Sequence, residues 1–226
     1  MHRCSASGPA SPRPLRILAV SDEVSRSLYD HYTPGKLKGY DVILSCGDLS
    51  KKYLEFLSSA ANCPVLYVRG NHDDRLESDP PEGCECIDGK LAEFAGLRIL
   101  GLGGSYRYRD GSNMYTERRM RLRILRLQWA LHRKHGFDLL VTHAPIYDFD
   151  DLDSLSHRGF ACFGTLLEKY RPAAMLHGHV HLNYGPNLPR ISDYHGVPVV
   201  NAFDHVSLIY ENGTLRPEKP SGEGRK

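Results

Sequence analysis

The chain contains no apolar run near the roughly 18 residues that a membrane-spanning helix requires. Its first residues, MHRCSASGPASPRP, include a basic residue but no apolar core of the kind a secretory signal carries. Nor is there a surplus of charge: 29 Lys and Arg face 27 Asp and Glu, a net charge of +2. The first absence argues against a membrane span, and the second makes the cytoplasm the expected location. The third gives nucleic acid or an anionic membrane no support as partner from net charge. Paired-cysteine spacing is missing as well. The six cysteines are scattered, and Cys84 and Cys86 stand one residue apart, not at the two-residue gap of a zinc knuckle or redox pair. Reduced thiols, mostly small buried residues, are expected.

What is present is one ordinary domain. The 226 residues, 41% hydrophobic and 25% charged, suit a soluble fold with a real core. Ser, Pro and Gly at the start and EKPSGEGRK at the end read as a disordered leader (1–14) and tail (217–226), leaving a domain over 15–216. Short runs rich in Val, Ile and Leu read as strands buried on both faces: LRILAV, DVILSC, PVLYV, RILGL, DLLVTH, AAMLHG and VPVVN. Between them SRSLYDHY, KKYLEFLSSAA, TERRMRLRILRLQWALHRK and GTLLEKY carry apolar residues at helical spacing. Alternation of this kind predicts an α/β sheet with helices on its faces. Hairpin punctuation is expected around 183–189 and at Asn212-Gly213.

In open α/β sheets, chemistry collects at the carboxyl ends of the strands. Here the strands end in Asp22, in Gly47-Asp48, in Gly70-Asn71-His72-Asp73, in His143, and in Gly178-His179-Val180-His181. Taken singly, Gly-Asp reads as a turn, Asn-His-Asp as a polar loop and His143 as a satisfied strand-end histidine, whereas the two imidazoles of Gly-His-Val-His, two apart on an extended segment, point the same way. Together they deliver Asp, Asn and His, ligand types for Mn, Fe or Zn, to one sheet edge.

These motifs, in this order, resemble those of the calcineurin-like metallophosphoesterases, and the resemblance spans Leu15 to Tyr210. It implies a four-layer αββα sandwich with two mixed β-sheets and two divalent metal ions, Mn2+ or Fe with Zn as an alternative. By the resemblance Asp48 would bridge the ions. Asp22 and His181 would hold the first, and Asn71, His143 and His179 the second. His72 would be the catalytic histidine and Asp73 would orient its ring. The implied activity is hydrolysis of a phosphodiester or phosphomonoester by an activated water.

One position departs from the pattern. The family's first motif is Asp-x-His, and its histidine is replaced here by Val24, which cannot coordinate. Water, Glu23 from an unusual turn, or nothing would take its place. The departure leaves an alternative, a weak or inactive member of the fold acting as a protein-binding scaffold, as a retromer subunit resembling this family does. Arg107 and Arg109 in the glycine-rich segment 101–109 are candidates for phosphate contact, and His157 is a candidate facing substrate. The basic segment Thr116–Gly136 reads as a helix with a solvated outer face, a nucleic-acid or phospholipid-facing surface being the sharper alternative. Oligomeric state is not indicated.

Overall fold

The computed structural model describes residues 13–152, 154–185 and 188–218. Two six-stranded mixed sheets form its centre. The first has β1 (Leu15–Ser21), β2 (Val42–Ser45) and β3 (Val65–Tyr67) in parallel at its middle. On one side β4 (Cys84–Cys86) completes it. The second contains β5 (Lys90–Phe94), β6 (Leu97–Leu102), β9 (Leu139–Thr142) and β10 (Ala174–His177), followed by β11 (Ile191–Tyr194) and β12 (Val197–Asn201). A short pair, β7 (Ser105–Tyr106) and β8 (Met114–Tyr115), stands apart. The chain returns to the first sheet through β13 (Asp204–Glu211) and β14 (Thr214–Pro217), with β13 antiparallel to all of β1.

Three apolar layers separate four layers of structure. Ile17, Ala19 and Leu44 from the first sheet meet Ile99, Val141 and Leu176 from the second. Leu18, Val20 and Ile43, on the opposite face of the first sheet, pack on α1 (Lys51–Ala61) through Tyr53, Leu54 and Leu57. Leu100, Leu140 and Met175 likewise meet α2 (Glu117–Arg133) and α3 (Ala161–Tyr170). Alternate residues of one strand thus enter different cores. This explains why the central strands read as continuous apolar runs, and it is the expected αββα sandwich.

The helices start where side chains satisfy free N–H groups. Ser50 accepts from Tyr53 N at the head of α1, and Thr116 from Arg119 N at the head of α2. Glu117 adds a tertiary link: its carboxylate accepts from Ala161 N at 3.1 Å and Cys162 N at 3.0 Å, which fixes the start of α3 against α2.

Three expectations are corrected. Segment 25–32 forms turns, not a helix; Ser25 Oγ is engaged with Ser27 and His205, and such side-chain bonds compete with helical ones. The α2 helix stops at Arg133, short of Gly136. At the end, β14 reaches Pro217 and Glu218 pairs with Arg16 at 2.8 Å, so order passes the boundary placed at 216. Residues 1–12 of the expected leader and 219–226 of the expected tail lie outside the described residues. The hairpin at Asn212-Gly213 is present, both residues having positive φ.

Candidate metal centre

The carboxyl ends of β1, β2, β3, β9 and β10 meet at the edge between the sheets. Asp22, Asp48, Asn71, His72, His179 and His181 line one cavity of about 220 Å³, together with Tyr108, Ser156, His157 and Tyr184. His143 lies directly behind, fully buried. Donor atoms of Asp48, His143 and His179 lie within 4.8 Å of one another.

The backbone is forced into unfavourable conformations to do this. Asp22, Asp48 and His179 have φ of 65°, 57° and 67°, in the left-handed region that L side chains avoid. Each costs about 1–2 kcal/mol, and such strain clusters at functional sites. Close approach is needed as well. A Cβ on Gly70 would strike the Asp48 carboxylate, and one on Gly178 would strike Ser21 Oγ and Asp22.

Hydrogen bonds fix the orientation of each group. His143 donates Nδ1–H to the Cys46 carbonyl at 2.8 Å, leaving Nε2 directed at Asn71 Oδ1, 3.0 Å away, and Asp48 Oδ2, 3.3 Å away. His179 donates Nε2–H to Ser156 O at 2.6 Å, which frees Nδ1. Backbone N–H groups hold the carboxylates: His179 N donates to Asp22 Oδ2 at 2.9 Å and His72 N to Asp48 Oδ1 at 2.8 Å. His181 Nε2 stands 3.8 Å from Asp22 Oδ1.

Electrostatics reflect crowded, desolvated charge. Burial pushes the Asp22 carboxyl above the ordinary carboxylate range, against the pull of His143. Burial acts in the same sense on Asp48, but the neighbouring His143 overrides it and holds Asp48 at about 2. Burial alone would lower His143; the Asp48 and Asp22 charges raise it to about 9. His179 is pushed down to about 3 by burial and by His143. The charge of Asp48 is thus offset by His143, while burial disfavours the anion of Asp22. A divalent cation supplies the same compensation, and the oxygen and imidazole donors suit one.

Several expected roles fall differently. Asp73 makes no hydrogen bond to His72 among the described residues. Its Oδ2 instead accepts from Asp48 N at 2.7 Å and Gly70 N at 2.8 Å, tying two site loops together. His72 is exposed at the cavity mouth. Arg107 and Arg109 do not line the cavity; Tyr108 does, from the bend that follows β7. Arg107 pairs with Asp110, and Arg109 lies over the Tyr108 ring at 5.5 Å. His157 does reach the cavity, its ring 5.4 Å from that of His179. Tyr184, stacked on His181 at 4.7 Å, had no sequence signal beyond its place three residues downstream.

Around the departure, Val24 packs against the α1-side core, Glu23 is exposed, and Ser25 bonds to His205 at 3.1 Å. Ser21 Oγ donates to Gly47 O at 3.1 Å. None of these residues lines the cavity.

Comparison with known proteins identifies the family and the fold. The family model described as calcineurin-like phosphoesterase matches residues 16–183. The chain belongs to the calcineurin-like phosphoesterase family. One solved crystal structure superposes with a TM-score of 0.65 at 14% identity, covering 92% of this chain and 100% of its own. Another, the TT1561 protein of Thermus thermophilus, gives 0.59 at 17% identity over 92% of this chain and 99% of its own. At such identities the likeness concerns the fold alone. A comparison with functionally curated proteins finds no match.

Proposed function

We propose that the chain is a metal-dependent hydrolase of phosphate esters, acting on a phosphodiester or phosphomonoester, with the diester preferred. The observation that carries this reading is the approach of His143 Nε2 to Asn71 Oδ1 at 3.0 Å and to Asp48 Oδ2 at 3.3 Å. With Nδ1–H committed to a carbonyl, Nε2 faces two oxygens, an arrangement that calls for a proton or a cation between them. Imidazole ligands of metals are characteristically anchored through their other nitrogen in this way.

In this reading Asp48, Asp22 and His181 would hold one ion, and Asp48, Asn71, His143 and His179 a second. Mn2+ or Fe suits the mixed oxygen and nitrogen set, and Zn2+ is compatible. Bound ions of this kind make water nucleophilic near neutral pH and offset phosphoryl charge.

The side chains do the rest. His72 at the mouth would give a proton to the leaving oxygen, and its backbone N–H donates to Asp48. Asp73 acts through the loops it joins, holding Asp48 and Gly70 in place. Tyr108, His157 and Tyr184 border the cavity and would bound the ester's substituents. Burial and the nearby His181 lower His157, favouring its neutral form at the cavity wall.

Mn2+ added to metal-free protein is expected to support hydrolysis of a chromogenic phosphodiester, with Asn71→Ala and His179→Ala inactive. Activity surviving both substitutions would overturn the assignment. The scaffold reading draws on one observation, the turning of Val24 into the core, which leaves the first ion a donor short. Inactivity of the intact chain with Mn2+, Fe2+ and Zn2+ would favour it.

A further inference from the structure

The α2 helix has two apolar faces. Met120, Ile124 and Leu131 are buried in the domain. On the opposite side Leu122, Leu125 and Trp129 are 48%, 64% and 70% exposed. Continued upstream to Arg118 and downstream to His132, this outer line advances by alternating steps of four and three residues. That is the spacing of a coiled-coil seam, in which Leu122 and Trp129 take a positions and Leu125 a d position.

Arginine borders the seam. In the same register Arg119, Arg126 and Arg133 occupy e positions and Arg121 a g position. Arg121 is paired within the helix to Glu117 at 3.0 Å. Arg119, Arg126 and Arg133 have no carboxylate partner among the described residues, and Arg133 lies 4.7 Å over the Trp129 ring.

We propose that the outer face of α2 is a docking surface for an amphipathic helix of a partner protein, apolar along its a and d positions and acidic at e and g. Charge complementarity chooses this occupant. A second copy of the chain would bring arginine against arginine. Residues 1–12 and 219–226 contain no Leu, Ile, Val, Phe, Tyr or Trp with which to cover the seam. A narrow a/d stripe with arginine on both flanks is the coiled-coil form of amphipathicity; a lipid-inserting helix presents a broader apolar face.

Trp129 is the only tryptophan in the chain, so its fluorescence reports on this face alone. The full chain is titrated with a three-heptad synthetic peptide carrying leucine at a and d and glutamate at e and g. Expected are a blue shift of Trp129 emission and saturable binding. A matched peptide with lysine at e and g should bind at least about 10-fold more weakly, because e and g charges set partner choice. Leu125→Glu, at an exposed position, should abolish binding with helical content unchanged by circular dichroism. Three results would overturn the proposal: no binding of the acidic peptide, equal affinity for both peptides, or a Trp129 shift with phosphatidylserine vesicles exceeding that with the peptide. Concentration-dependent self-association lost in Leu125→Glu would also overturn it, in favour of a second copy.

Discussion

The Nδ1–H of His143 lies on the Cys46 carbonyl at 2.8 Å, and that bond aims the opposite ring nitrogen at Asp48. Cys46 is the last residue before the Gly47-Asp48 turn, so one hydrogen bond joins the mouth of β2 in the first sheet to the mouth of β9 in the second. His143→Ala removes both a donor atom and this bridge. Expected is a loss of Mn2+-dependent diesterase activity greater than the roughly 10–100-fold that accompanies loss of a supporting residue. Wild-type rates in the variant would show that His143 only packs.

His72 differs from the buried histidines in standing exposed at the mouth, in contact with Asp48 only through its backbone N–H. His72→Asn should therefore keep Mn2+ affinity while kcat falls by roughly 10²–10⁴-fold, the usual contribution of a positioned proton donor. Calorimetry and steady-state rates on the same sample separate the two. An unchanged kcat contradicts the role.

Gly178→Ala places a methyl group against Ser21 and Asp22. The Asp22 carboxylate must move to accept it. A stability loss of about 1–3 kcal/mol is expected from such overpacking, with weaker Mn2+ binding. Denaturant titration beside a metal titration checks both, and a variant neutral in both would show that the approach is not required.

Arg98 and Asp138 supply a test by pH. The guanidinium clasps the carboxylate at 2.6 and 3.0 Å. Burial raises the Asp138 pKa, and its bonds to Arg98 outweigh that and lower it overall. A carboxyl lowered on folding contributes stability that is fully present above its unfolded pKa, about 3.9. That contribution is lost as pH falls through the folded value. Asp138→Asn should lose about 1–3 kcal/mol at pH 7, and the gap to the parent should close below roughly pH 3.9. A gap constant with pH would exclude the ion pair as its source.

Much of the fold and site was readable in the chain because strand ends are local. Leu15–Ser21 and Leu139–Thr142 declare themselves by apolar run and terminus, and the residue next after a strand must sit at its mouth. The edge strands were harder. The β4, β5 and β11 segments are short and half-exposed, with Cys84, Lys90 and Asp193 among their residues, and their pairing depends on the partner strand. The role of Asp73 also escaped. Adjacency to His72 suggested a ring contact, whereas the acid serves backbone N–H groups 25 and 3 residues away in sequence. Tyr108 was masked by its neighbours: arginine draws notice as a phosphate ligand, but the bend after β7 brings the tyrosine to the cavity, and a bend leaves no periodic signal in the sequence.

The most direct measurement is calorimetric titration of Mn2+ into the metal-free chain, repeated with Asn71→Ala and His179→Ala. Saturable binding is expected in the parent, with at least about 10-fold weaker affinity in each variant. No binding in the parent, or equal affinity in all three proteins, would contradict a metal centre at this sheet edge.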